Sequence, residues 1–223
     1  MTPRRRPADR RLYTRARLSW YDTVVLGLVC PLVWRCPRRE MVALYDRNAG
    51  ARHLDLGPGT GFFLDRCAFP APDPRITIVD LGEDVLRKVS RRLARHRPVA
   101  HRADVLAPLP FRAERFDSVG MNFLLHCLPG GMSAKAVVFD HVLPYVAPGG
   151  RVFGSTVLAD GVEHGRHAAR ALAHLNAEGV LSNAGDSFAG LEAELARRFP
   201  DHRLTARGSV GLFEAVAPGE GAR

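Results

Sequence analysis

The sequence predicts an α/β domain: a mostly parallel sheet covered by helices on both faces and closed by an antiparallel hairpin. Three observations predict it. From residue 52 onward short apolar runs alternate with segments of helical periodicity, the order of strand–helix–strand units. A glycine-rich turn, Gly57-Pro58-Gly59-Thr60-Gly61, follows the first of those runs and opens a helix. Near the end, two strand-like runs are joined by a tight Gly208-Ser209 turn. A chain of 223 residues, 46% hydrophobic and 25% charged, can bury one sizeable core, which excludes a disordered, collagenous or coiled-coil protein.

The elements follow in order. Residues 12–47 read as helical in pieces. Leu12, Leu18 and Trp20–Leu28 supply apolar positions, Pro31 and Pro37 break the run, and Arg38–Arg47 carries Met41, Val42, Leu44 and Tyr45 at helical spacing. Strands are expected at His53–Leu56, Ile76–Val79, Ser118–Asn122 and Arg151–Gly154, with helices over Asp84–Leu93 and Ala134–Val146. A helix ending near Phe199 precedes the hairpin, whose arms are Arg203–Arg207 and Val210–Val216. The expected organisation is a flexible basic tail over 1–17, a helical lid over 18–50, the main domain over 51–217 and a short tail over 218–223.

The net charge of +9 is concentrated at the start. Residues 1–17 hold seven arginines against Asp9 alone, which leaves +3 for the remaining 206 residues, an ordinary value for a soluble domain. Cys30, Cys36, Cys67 and Cys127 show no CxxC pairing, so neither a zinc site nor a disulfide scaffold is indicated and a reducing compartment fits. The apolar run Thr23–Trp34 is shorter than the roughly 20 residues a membrane span requires. With no cleavage site after it, a cytoplasmic protein is expected.

The chemistry is carried by Leu54-Asp55-Leu56-Gly57-Pro58-Gly59-Thr60-Gly61-Phe62. Glycines let the chain turn sharply and approach a ligand closely, and the helix that follows presents free N–H groups. The spacing is G-x-G-x-G, unlike the G-x-G-x-x-G of dinucleotide folds. Asp80 ends the second strand at about the offset where an acid accepts ribose hydroxyls, and Asp104 follows the third strand, where a carboxylate can accept adenine amino hydrogens.

These pieces resemble the class I S-adenosylmethionine-dependent methyltransferases. The matching segments are His53–Gly61, Ile78–Leu81, Ala103–Val105 with Leu109–Phe111, Phe116–Val119, and Leu143–Gly150, and the hairpin extends the likeness to about residue 216. The resemblance implies a seven-stranded, doubly wound, Rossmann-like sheet with S-adenosyl-L-methionine as cofactor. It places Asp55 and the backbone of Gly57, Gly59 and Gly61 at the methionine portion, Asp80 at the ribose and Leu81 at the adenine face. Asp104 and the Val105 amide would meet the adenine edge, and the Asn122 carbonyl the ammonium. Tyr21-Asp22 is similar to the entry helix of small-molecule members, with Tyr21 near the cofactor carboxylate.

The acceptor side is expected in Asn122–Gly131 after the fourth strand. His126 is the only side chain there with a pKa suited to a general base; the competing reading is that it orders the loop by hydrogen bonds. Asn122-Phe-Leu-Leu departs from the segment of base-amino methyltransferases, and residues 118–133 contain no Asp or Glu for magnesium, so no metal is expected. Tyr13, Trp20, Tyr21, Trp34 and Tyr45 cluster in the first 45 residues, either wrapping a flat acceptor or burying the N-terminal helices. Residues 160–190 supply the other wall, their histidines on a solvated helix face.

The expectation is methyl transfer to a small-molecule acceptor at O, N or C, plausible in specialised metabolism, with no nucleic-acid partner. Two alternatives stand beside it: a nucleic-acid methyltransferase using the arginine-rich tail, and non-transfer chemistry on the same cofactor. Nothing in the sequence sets the oligomeric state.

Overall fold

The computed structural model describes residues 22–111 and 115–219. The N-terminal basic tail therefore lies outside the described residues, as do Tyr13, Trp20 and Tyr21. Strands β1 (Arg52–Leu56), β2 (Arg75–Asp80), β3 (Val99–Arg102), β4 (Phe116–Asn122), β5 (Val146–Val157), β6 (Asp201–Arg207) and β7 (Val210–Val216) form one sheet in the order β3-β2-β1-β4-β5-β7-β6. The first five run parallel and β7 is antiparallel to both β5 and β6. This is the expected sheet, closed by the expected hairpin.

Helices α1 (Arg38–Asn48), α2 (Phe62–Arg66), α3 (Glu83–Arg92), α4 (Met132–Lys135), α5 (Val137–Val142), α6 (Arg166–Ala177) and α7 (Phe188–Arg198) cover it. Alternation along β1 shows why both faces are filled. Leu54 and Leu56 join α5 and α7 in one apolar cluster, while His53 and Asp55 point to the other face, where Met41, Leu44, Phe62, Phe63, Val85 and Val89 pack. Helix α3 carries Glu83 and Asp84 in its first turn and Arg91 and Arg92 in its last, each matched to the helix dipole. Ser187 caps α7 by accepting from the Gly190 amide at 2.9 Å.

Two expectations are corrected. Pro31 does not break the N-terminal run: widened helical turns over Asp22–Val29 lead directly into a short turn, Cys30–Leu32, that contains it. The single helix expected over Ala134–Val146 is instead α4, α5 and a tight turn at Leu143–Tyr145. Pro144 lies in that turn and Val146 already belongs to β5, because the apolar run there is pairing with Phe116.

The hairpin turn is anchored to the entry segment. The Ser209 amide donates to the Trp34 carbonyl at 2.9 Å, and a Cβ added to Gly208 would lie 2.2 Å from that oxygen, so no side chain fits.

Candidate active site

The carboxyl ends of β1 and β4 open into a cleft beside the glycine turn. Leu26, Tyr45, Phe62, Phe63, Asn122 and Phe123 wall it, with Asp55 and residues 57–60 at its floor. Ligand sites in open α/β sheets lie at such a place, where the strand order reverses. Gly57 and Gly59 hold φ of +63° and +58°, which side chains resist. They differ in surroundings: a Cβ on Gly57 would strike Leu124 at 2.8 Å, whereas one on Gly59 would meet nothing within 4 Å among the described residues. The space over Gly59 is open for a ligand to approach the backbone.

Two polar atoms in the cleft wall are buried without a partner among the described residues. They are Oδ1 of Asp55, an acceptor, and Nδ2 of Asn122, a donor. Such orphans are costly unless a ligand satisfies them. The other oxygen of Asp55 accepts from the Tyr45 hydroxyl at 2.6 Å, and Oδ1 of Asn122 accepts from Ser155. The opposed charges of an amino-acid terminus match this unused acceptor and donor, so the residues fit the methionine portion of the expected cofactor.

The remaining cofactor candidates sit along the same sheet edge but outside this cleft. Asp80 ends β2 and accepts from the Gly82 amide at 2.7 Å; burial nevertheless raises its carboxyl to about 6. Leu81 is 61% exposed, an unburied apolar surface beside Asp80. Asp104 is exposed and accepts from the Leu106 amide at 2.9 Å, while the Val105 carbonyl accepts from His141.

His126 sits differently from a base open to an acceptor. It is 6% exposed, and Nδ1 accepts the Val157 amide hydrogen at 3.1 Å. The neutral ring therefore carries its proton on Nε2 and has no lone pair to spare. Burial, reinforced by the Lys135 charge, lowers its pKa to about 3. Its carbonyl receives the Ser182 amide at 2.8 Å, which ties the loop after β4 to the segment after α6.

Against that segment Lys135 of α4 is fully buried, donating to Asp186 at 2.5 Å and to the Ser182 carbonyl at 2.6 Å. His167 and His174 are exposed on α6. Among the described residues no group of three His, Cys, Asp or Glu side chains is placed to hold a metal. None of their helices is long and apolar enough to cross a membrane.

Sequence reasoning passed over three features of the cleft. Phe123 has φ of +56°, an unfavourable backbone for a bulky residue. The guanidinium groups of Arg38, Arg92 and Arg66 stand 5.3, 5.5 and 5.8 Å from the Phe62 ring. Tyr45, read as a lid aromatic, reaches under the glycine turn. Apart from Arg66, one helical turn from Phe62, these depend on residues brought together from elsewhere in the chain.

A methyltransferase-domain family model matches residues 54–152. Demethylluteothin O-methyltransferase of Streptomyces thioluteus is 41% identical over 203 residues, covering 91% of this chain and 88% of that protein. The chain belongs to the class I S-adenosylmethionine-dependent small-molecule methyltransferases. The physcion biosynthesis cluster O-methyltransferase of Aspergillus chevalieri is 36% identical, over 97% of this chain and 99% of its own length. In fold, this methyltransferase resembles the N-methyltransferase NodS of Bradyrhizobium japonicum WM9 solved with S-adenosyl-L-homocysteine. The TM-score is 0.58 at 18% identity, over 81% of this chain and 87% of that one. The enzyme uses S-adenosyl-L-methionine to methylate a small molecule.

Proposed function

We propose that the methyltransferase acts on a hydroxyl oxygen of a flat, conjugated small molecule of specialised metabolism, one acidic enough to release its proton without a protein base. The observation that carries this reading is the cleft wall. Leu26, Phe62, Phe63 and Phe123 offer apolar and aromatic surface, and among the described residues the ionisable side chains lining it, Asp55 and Tyr45, are bonded to each other. Two relatives named as O-methyltransferases support the choice of oxygen.

S-adenosylmethionine supplies an electrophilic methyl on a sulfonium. The chain's part is to hold and orient: Asp55 and the turn of Gly57, Gly59 and Gly61 at the methionine portion, with Asn122 beside them. Asp80 takes the ribose diol, Leu81 the adenine face, and Asp104 with the Val105 amide the adenine edge; Tyr21, outside the described residues, takes the carboxylate. Alignment of acceptor and methyl can supply up to about 7–11 kcal/mol. The arginines around Phe62 favour an acceptor oxygen that arrives as an anion. His126 orders the wall and is not the base. Four free cysteines fit work in the cytoplasm.

The test is turnover with a panel of hydroxylated aromatics and pyrones, reading product mass and the O-methyl carbon shift. Rate should follow the acceptor's own pKa, falling as pH drops below it. Methylation confined to amines would overturn the choice of oxygen.

A further inference from the structure

Behind the cleft runs a continuous chain of buried polar groups. His53 and Asp55 share one face of β1, paired in register with Ser118 and Gly120 of β4. Because His53 Nε2 faces the Asp55 carboxylate, which can only accept, Nδ1 is the ring acceptor and takes the Ser118 hydroxyl hydrogen at 2.7 Å, while the Gly50 amide donates to the same Ser118 Oγ, also at 2.7 Å. That places the ring proton on Nε2, 3.3 Å from Oδ2 of Asp55, and the Tyr45 hydroxyl donates to the same oxygen at 2.6 Å. Oδ2 thus has two donors and Oδ1 has none among the described residues.

The parts around the chain hold it in this form. Tyr45 is fixed edge-on by Phe153 at 4.9 Å and stacked on Phe63 at 5.7 Å. A Cβ on Gly120 would lie 3.0 Å from Asp55 Oδ2 and 3.2 Å from His53 Nε2, so glycine leaves the space in which they meet. Burial and the neighbouring Asp55 push the Tyr45 phenol well above its ordinary value, which keeps it a donor.

We propose that Tyr45 and His53 are positioning residues of the methyl-donor site: by occupying Oδ2 they fix the rotation of the Asp55 carboxylate and reserve Oδ1 for the cofactor's ammonium. This rests on the assignment of Asp55 to the methionine portion. It goes beyond that assignment in making α1, which carries Tyr45, part of the donor site rather than only a cover over it. A carboxylate free to rotate would share its charge between Tyr45 and the ligand, and the ammonium would lose its fixed partner.

The experiment is calorimetric titration of full-length protein with S-adenosylhomocysteine and with 5′-methylthioadenosine, which lacks the amino-acid end. The variants are Tyr45→Phe, His53→Leu, His53→Gln and Asp55→Asn. Tyr45→Phe deletes one oxygen and keeps the ring packing. It should raise the Kd of S-adenosylhomocysteine about tenfold or more, as expected for losing a hydrogen bond to a charged group, and leave that of methylthioadenosine unchanged. His53→Leu should do the same, and His53→Gln, which keeps an N–H near the carboxylate, should restore most of the difference. If Asp55→Asn is selective for S-adenosylhomocysteine but Tyr45→Phe and His53→Leu weaken both ligands alike or neither, the positioning role is refuted and the Asp55 assignment stands. If Asp55→Asn itself shows no selectivity, the assignment falls and the positioning role with it.

Discussion

The Val157 amide gives its hydrogen to Nδ1 of His126 at 3.1 Å, joining the loop after β4 to the end of β5 through a side chain. Two measurements follow. His126→Gln should keep turnover within about tenfold of wild type, since only positioning is altered, and the wild-type rate should show no inflection belonging to this group between pH 5 and 8. The stability effect has the opposite character. The folded-state pKa is lowered to about 3 from 6.5, so the unfolded chain binds the extra proton. The contribution is complete above pH 6.5 and is lost as pH falls toward 3. Denaturant titrations at pH 7.5, 6 and 5 should show wild type losing about 1.4 kcal/mol more per pH unit than His126→Gln below pH 6.5. Equal slopes would contradict a buried neutral ring.

Asp80 makes a second pH-dependent prediction. Burial raises its carboxyl to about 6, and ribose hydroxyls need the ionised form as acceptor. Affinity for S-adenosylhomocysteine should be level above pH 7 and fall by about tenfold per unit below 6. Asp80→Asn should bind weakly and without that pH dependence. Because the raised pKa makes the ionised carboxyl a burden on the free protein above pH 6, the same variant should melt higher at pH 8. Wild-type affinity that does not change down to pH 5 would remove Asp80 from the ribose.

Gly59 separates folding from binding. Gly59→Ala adds a methyl that strikes no atom of the described residues but sits on a backbone of φ +58°, at a cost of about 1–2 kcal/mol. Cofactor affinity should fall at least tenfold while the protein stays folded by circular dichroism. Gly57→Ala, which also collides with Leu124, should lose more stability. Undiminished binding by Gly59→Ala would show that no ligand passes over this turn.

The Lys135–Asp186 pair predicts strong non-additivity. Lys135→Met leaves a buried carboxylate with no cation and should cost about 3–5 kcal/mol. Lys135→Met with Asp186→Leu should recover most of that loss, read as a coupling energy in denaturant unfolding. Additive single effects would place the stabilisation elsewhere.

What the sequence made legible was local. Strand runs such as Ile76–Val79 and the glycine turn at 57–61 announce themselves because a short apolar run buried on both faces and a demand for positive φ act within a few residues. Ala134–Val146 misled because apolar spacing alone does not distinguish a broken helix from one that hands over to a strand at Val146. His126 could be seen as a lone histidine in the right loop, but its acceptor role needs Val157, and the buried state of Lys135 needs Asp186. Asp55 was legible from its motif, whereas the donors to its other oxygen are Tyr45, from the helix before the strand, and His53, whose ring is held by Ser118 of β4.

The contact between the hairpin turn and Trp34 has a consequence for synthesis. The Trp34 carbonyl is made well before its donor, the Ser209 amide, which lies much further along the chain. Until then the entry segment that brings Leu26 to the cleft is unlatched, and β5 has no partner on the edge that β7 will take. A nascent chain can therefore complete its glycine turn long before the entry segment can be latched at Ser209.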